Sequence, residues 1–125
     1  MTVHPDCLAL QVSMGEARKN DHGKLRFDLI PPGPLQQLAA IYTVGAEKYG
    51  DRNWEQGLAW GRVFAAIQRH LWAFWGGEEL DPEDGLSHLA HAAWGCFTLM
   101  EYAQTHPEMD ERGVRGEPTK KVTGA

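Results

Sequence analysis

The chain has 125 residues, a formal net charge of −5 and a hydrophobic fraction of 42%. That length holds one domain with a buried core but not two, and the composition is that of neither a disordered nor a membrane-spanning chain. A duplex-binding protein needs a basic face to neutralise phosphates, and this balance supplies none; a small anionic substrate stays open if a few Lys or Arg, or a metal, are placed locally.

The opening stretch MTVHPDCLALQV is too short and too interrupted for a secretory signal, and no apolar run of about 18 residues follows, so no membrane span is expected. Cys7 and Cys96 lie far apart without a CxxC, and Cys96, inside an apolar run, reads as a small core residue. The expected compartment is a reducing cytoplasm. Residues 1–33 lack helical periodicity and are rich in turn formers, which describes an arm wrapping the core; within it Lys24–Ile30 alternates enough for a brief extended piece.

A helical domain is expected over 34–106. Its first helix starts at Pro34, carries the stripe Leu35, Leu38, Ile41 and Tyr42, and stops at Gly50. The Gly/Asn/Asp-rich loop GDRNWEQG covers 50–57. A second helix runs over 60–75, with Val63, Ile67, His70 and Phe74 on one face and Gly76-Gly77 closing it. Asp81-Pro82-Glu83-Asp84 reads as a helix start, with Asp81 as N-cap and Asp84 completing a capping box. The third helix is then expected from Pro82 to about Thr105, with Leu86, Leu89, Ala93, Cys96 and Met100 as its stripe. It is apolar on most sides, so it is central or shared with another subunit. Residues 107–125 form a Gly-, Pro- and charge-rich tail. The expected fold is an all-α, small helical bundle completed by oligomerisation, as a homodimer or homotetramer, with an extended N-terminal arm. The five Trp (Trp54, Trp60, Trp72, Trp75 and Trp94) suit an oligomer interface or a base pocket, with plain core the reading for Trp72 and Trp94.

The polar constellation is Arg69, His70, Glu78, Glu79, Asp81, Glu83, Asp84, His88 and His91. Taken singly, these are caps, solvated loop charges and hydrogen-bonded core histidines. Taken together, three His and one Arg on two apolar helices must find partners, because an unpaired buried polar group costs roughly 1–3 kcal/mol. His88 and His91 are spaced to share a face, Asp84 lies a turn before His88, and Gly95 leaves room for a backbone or ligand to come close. Carboxylates holding Mg²⁺ or Mn²⁺ grip triphosphates, Arg and Lys neutralise phosphate, and His or Glu activates water. Zinc on His70, His88 and His91 ranks below that hard-cation site. No Ser-His-Asp order, GxGxxG or P-loop is present. In the second cluster, Lys48 through Trp54, Trp54 can stack on a base, Asn53 can read its edge and Lys48 can reach a phosphate; a helix-capping loop plugged by Trp54 is the equal alternative.

The strings GKLRFDLIPPGPLQQLA and VGAEKYGDRNW, followed by IQRHLWAFWGGEELDPEDGLSHLAHAAW, resemble the phage dATP/dGTP diphosphohydrolase family (its N-terminal-type domain), a relative of the MazG-like enzymes. The resemblance spans about residues 23 to 103. It implies metal-dependent hydrolysis of dGTP or dATP to the monophosphate and pyrophosphate, in a phage where dGMP feeds synthesis of a modified purine. MazG-like enzymes hold Mg²⁺ on EExxE and ExxD motifs; here Arg69-His70 and His88-x-x-His91 stand in those places. Either Glu78, Glu83 and Asp84, with His88, hold the cation, or histidines hold a softer ion such as Mn²⁺, Co²⁺ or Zn²⁺. The expected roles are catalysis by His70 and His91, phosphate neutralisation by Arg69 and Lys48, and nucleoside binding by Asn53 and Trp54 with Arg26 or Asp28. A non-catalytic nucleotide sensor and a structural phage assembly protein are the alternatives.

Overall fold

The computed structural model describes residues 15–113, so the expectations for Cys7, the opening stretch and residues 114–125 lie outside the described residues. The described residues are helical and include no strand beyond an isolated antiparallel bridge, Leu80 to Ser87. The chain divides into two compact units at the Ile30–Pro31 junction. No helix of the described residues is long and apolar enough to cross a membrane.

In the first unit, the expected extended piece is instead a turn of 3-10 helix, Phe27–Leu29. The Arg26 guanidinium grips the Asp28 carboxylate through two hydrogen bonds of 2.8 and 2.7 Å. The Leu29 N–H reaches the Arg26 carbonyl at 3.1 Å, so pairing two residues apart bends the backbone.

The second unit holds three long helices. Helix α1, Pro32–Tyr49, begins two residues before the expected Pro34 and ends at Gly50, whose φ of 96° only glycine adopts without strain. Helix α2 is Trp60–Trp75. Its end is a Schellman motif: the Glu78 N–H bonds the Ala73 carbonyl at 3.0 Å and Gly77 sits at φ 106°. Helix α3 is His88–Thr105, six residues shorter at its start than the capping pattern suggested. Asp81 and Asp84 cap turns rather than a helix: the Asp81 carboxylate accepts the Glu83 N–H and that of Asp84 the Leu86 N–H, each at 2.9 Å. Gly85 at φ 73° then breaks the run, and Ser87 is the N-cap, its hydroxyl accepting the Ala90 N–H.

The core gathers Trp60, Val63, Ile67, Ala92 and Tyr102, with Trp54, Leu58, Leu99 and Met109 packed against it. The buried side of α3 is His88, Ala90, Ala92, Gly95, Thr98 and Tyr102, not the expected stripe. Small residues win this face because they let α2 come close: a Cβ at Gly95 would overlap the Ile67 side chain. The larger apolar residues consequently point outward. Leu89, Phe97 and Met100 are exposed, and Cys96 is exposed rather than a buried core thiol. Trp72 is 67% exposed and Trp75 78%, so the core reading fails for Trp72. Trp94 is half-buried.

Candidate active site

The Schellman stop at Gly77 turns the chain out of α2 and into a tight loop closed by backbone pairing. The Asp81 N–H bonds the Leu86 carbonyl at 2.7 Å, and the His88 N–H bonds that of Glu79 at 3.0 Å. This pairing holds Glu78, Asp81 and Asp84 beside the first turn of α3 and the last turns of α2. His88 is buried and its Nε2 lies 2.7 Å from Glu78 Oε1. Its Nδ1 meets His70 Nδ1 at 2.9 Å. His91 Nε2 lies 2.8 Å from Asp84 Oδ2. The His70 and His91 rings stack with centroids 4.4 Å apart and planes within 5°.

Asp81 stands between these pairs, its Oδ2 at 3.9 Å from both His70 Nδ1 and His91 Nε2. Two sets of donors therefore converge closely enough to hold an ion, His70–Asp81–His88 and Asp81–Asp84–His91, with ligand atoms within 4.8 Å of one another in each. Two carboxylates with one imidazole suit Mn²⁺ or Mg²⁺, while two imidazoles with one carboxylate suit a softer ion.

With Glu78 ionised and His88 neutral, the hydrogen bonds determine the proton positions. An ionised Glu78 only accepts, so His88 Nε2 carries a hydrogen. A neutral His88 then accepts at Nδ1 from the His70 Nδ1–H, which leaves the lone pair of His70 on Nε2. Burial, followed by the His91, His88 and Arg69 charges, lowers the His70 pKa below its ordinary value despite Asp81, and so favours that neutral base. Burial alone would raise Asp84, but the Leu86 N–H, His91 and Lys48 together hold it below the ordinary carboxylate value.

A cleft of about 510 Å³ adjoins this cluster, within the roughly 300–1,000 Å³ of ligand sites. Asp84 and His91 line one end; Tyr42, Trp54 and Trp94 form an aromatic wall, and Lys48, Arg52 and Asn53 edge it. Tyr42 sits at 6.1 Å from the Trp54 ring and 6.3 Å from that of Trp94. Burial, and then Glu101, raise its phenol pKa, so it stays a neutral ring.

The histidines and Asp84 expected from the sequence thus come together, with Glu78 behind His88. Glu83 turns to Lys48 at 3.8 Å and belongs to neither donor set. Arg69 is exposed beside His70 and does not line the cleft, whereas Lys48, Asn53 and Trp54 do. Arg26 and Asp28 pair with each other in the first unit. Sequence reasoning left Asp81 as a cap and passed over Tyr42 and Trp94 as wall residues. The signal for Asp81 was its place, a carboxylate in the same loop as Asp84.

The family described as dATP/dGTP diphosphohydrolase, N-terminal, matches residues 14–112. A dATP/dGTP diphosphohydrolase of Salmonella phage PMBT28 is 36% identical over 94 residues, which cover 75% of this chain and 32% of the relative. The chain thus spans about a third of the length of the curated relative it matches. No solved structure matches it.

Proposed function

Because the chain belongs to the dATP/dGTP diphosphohydrolase, N-terminal, family, we propose that it hydrolyses a purine deoxynucleoside triphosphate, dGTP or dATP, to the monophosphate and pyrophosphate. One observation carries this reading: a single cleft runs from an aromatic wall able to stack a base to Asp84 and His91, members of a metal-capable cluster. Asp81, Asp84 and His91 would hold a divalent cation, Mn²⁺ or Mg²⁺, beside the triphosphate. Such a cation would neutralise phosphate oxygens and lower the pKa of water bound near it.

The chain's own groups supply the rest. His70, kept neutral and hydrogen-bonded through His88 to Glu78, takes a proton from the attacking water at Nε2. The charge it gains is offset by Asp81. Lys48 at the cleft edge neutralises phosphate, and Trp54 with Tyr42 and Trp94 encloses the base while Asn53 meets its edge. The exposed apolar residues Trp72, Trp75, Phe97 and Met100 meet a second copy of the chain, which makes the working form a homo-oligomer in the cytoplasm of a phage's host. The product dGMP would feed synthesis of a modified purine.

Pyrophosphate release measured over the four deoxynucleoside triphosphates, each with Mg²⁺ or Mn²⁺, tests the proposal. Release from dGTP or dATP and not from the pyrimidine nucleotides is expected. A thermal shift with purine nucleotides but no release would make the protein a sensor, and no shift with any nucleotide would leave a structural role.

A further inference from the structure

The segment carrying Asn53 and Trp54 presents one side to the cleft, and its other side is fastened to the end of α3. Tyr102 is fully buried, and its hydroxyl donates to the Trp54 carbonyl at 2.5 Å, while its ring lies 6.2 Å from the indole. One turn on, His106 Nε2 lies 2.7 Å from the Glu55 carbonyl and its Nδ1 lies 3.0 Å from a Glu108 carboxylate oxygen. The His106 backbone is held in turn by Trp60, whose Nε1–H donates to the His106 carbonyl at 3.1 Å, and its ring makes an edge contact with Tyr102 at 5.3 Å. Gly57, at φ 106°, packs against His106 and Met109 where no side chain would fit.

Both partners of the His106 ring only accept hydrogen bonds. A neutral imidazole donates from one nitrogen, so both contacts are made together only by the imidazolium. We propose that Tyr102 and His106 are positioning residues that hold the 53–57 segment against the bundle, so that nucleotide affinity depends on the His106 imidazolium although neither residue touches the nucleotide. The inference rests on the nucleotide reading given above.

The hydrogen bonds to the Glu55 carbonyl and then to Glu108 raise the His106 pKa. The charged groups facing the ring are Glu108 and, on the clasped segment, Glu55, whose own carboxylate lies 3.7 Å from Arg52. When His106 loses its proton, the ionised Glu108 is the stronger acceptor and keeps the remaining N–H. The Glu55 carbonyl is then released, and the Trp54 wall loosens as pH rises.

The test compares the full chain with Tyr102→Phe and His106→Gln, reading amide exchange of residues 53–57 and the dGTP dependence of pyrophosphate release with Mn²⁺. Tyr102→Phe keeps the buried ring and should raise KM about fivefold, the worth of one hydrogen bond, with kcat within about twofold. In the wild type, KM should climb and the protection factors at 53–57, corrected for the intrinsic pH dependence of amide exchange, should fall between pH 6.5 and 8.5; His106→Gln should abolish both trends. Unchanged exchange in both variants overturns the clasp. Faster exchange with unchanged KM overturns its influence on the nucleotide. A wild type without turnover of any nucleotide sinks the nucleotide reading and the KM claim, and exchange alone then decides whether the clasp exists.

Discussion

Gly95→Ala puts the packing of α2 on α3 to a quantitative test. The new methyl would overlap Ile67 Cγ1 and stand 2.8 Å from Cδ1, with Val63 Cγ1 at 3.6 Å. Ile67 is only 6% exposed and β-branched, so it has no solvent to move into and a stiff first torsion. Overpacking of this kind costs about 1–3 kcal/mol. Alanine returns about 1 kcal/mol of helix propensity over glycine. The expected net loss is up to about 2 kcal/mol, which at roughly 4–8 °C per kcal/mol lowers Tm by up to about 16 °C. Calorimetry on the variant, on Ile67→Ala and on the double variant forms a cycle. With Ile67 truncated the clash is gone while the propensity gain stays, so Gly95→Ala should be neutral or stabilising in that background. An equal loss in both backgrounds, or a raised Tm in the wild-type one, would show that the helices do not meet at this glycine.

Asp81→Asn keeps the shape of the loop and removes the charge between the two donor sets; turnover should drop at least about 100-fold with unchanged helicity by circular dichroism. Equal loss of helicity would make Asp81 a structural cap only. His70→Ala should likewise abolish turnover without unfolding the chain. The neutral His70 also sets a pH dependence. Its pKa is lowered by folding from 6.5, so the unfolded chain takes the proton first. Stability is therefore full above pH 6.5 and declines as pH falls through 6.5, until the folded histidine protonates too. Asp84, lowered from 3.8, adds stability that is lost at still lower pH, as its folded carboxylate protonates. Urea midpoints taken with chelator from pH 7.5 downward should trace the first loss, and His70→Gln should blunt it; a flat midpoint through pH 6 contradicts the assignment. Trp75→Glu should turn an oligomer into a monomer by sedimentation velocity, whereas a monomeric wild type would leave these exposed rings without their expected partner.

Helix α2 was legible end to end because its apolar period is clear and two glycines stop it. The α3 face was not. A helix apolar all round carries no period to select its buried side, and the choice went to the small residues Ala92, Gly95 and Thr98 that admit Ile67 and Val63. Its start was hidden by two aspartates that suit an N-cap and an Asx turn equally well, since both use a carboxylate accepting an N–H two or three residues on. The convergence of His70, His88 and His91 with Asp84 could be read from spacing, because one helical turn and one short loop determine it. The bridging place of Asp81 could not, since it depends on Gly85 turning the loop back. Trp72 misled for a related reason: aromatic size signals burial somewhere, and a single chain does not say against what.

Product analysis by phosphorus NMR after incubating the wild-type chain with dGTP and Mn²⁺, alongside Asp81→Asn, bears most directly on whether the aromatic cleft and the histidine–carboxylate cluster form one hydrolytic site. Equal amounts of dGMP and pyrophosphate from the wild type, and intact dGTP from the variant, are the predicted spectra. Formation of dGDP and phosphate, or the same products at the same rate from Asp81→Asn, would contradict it.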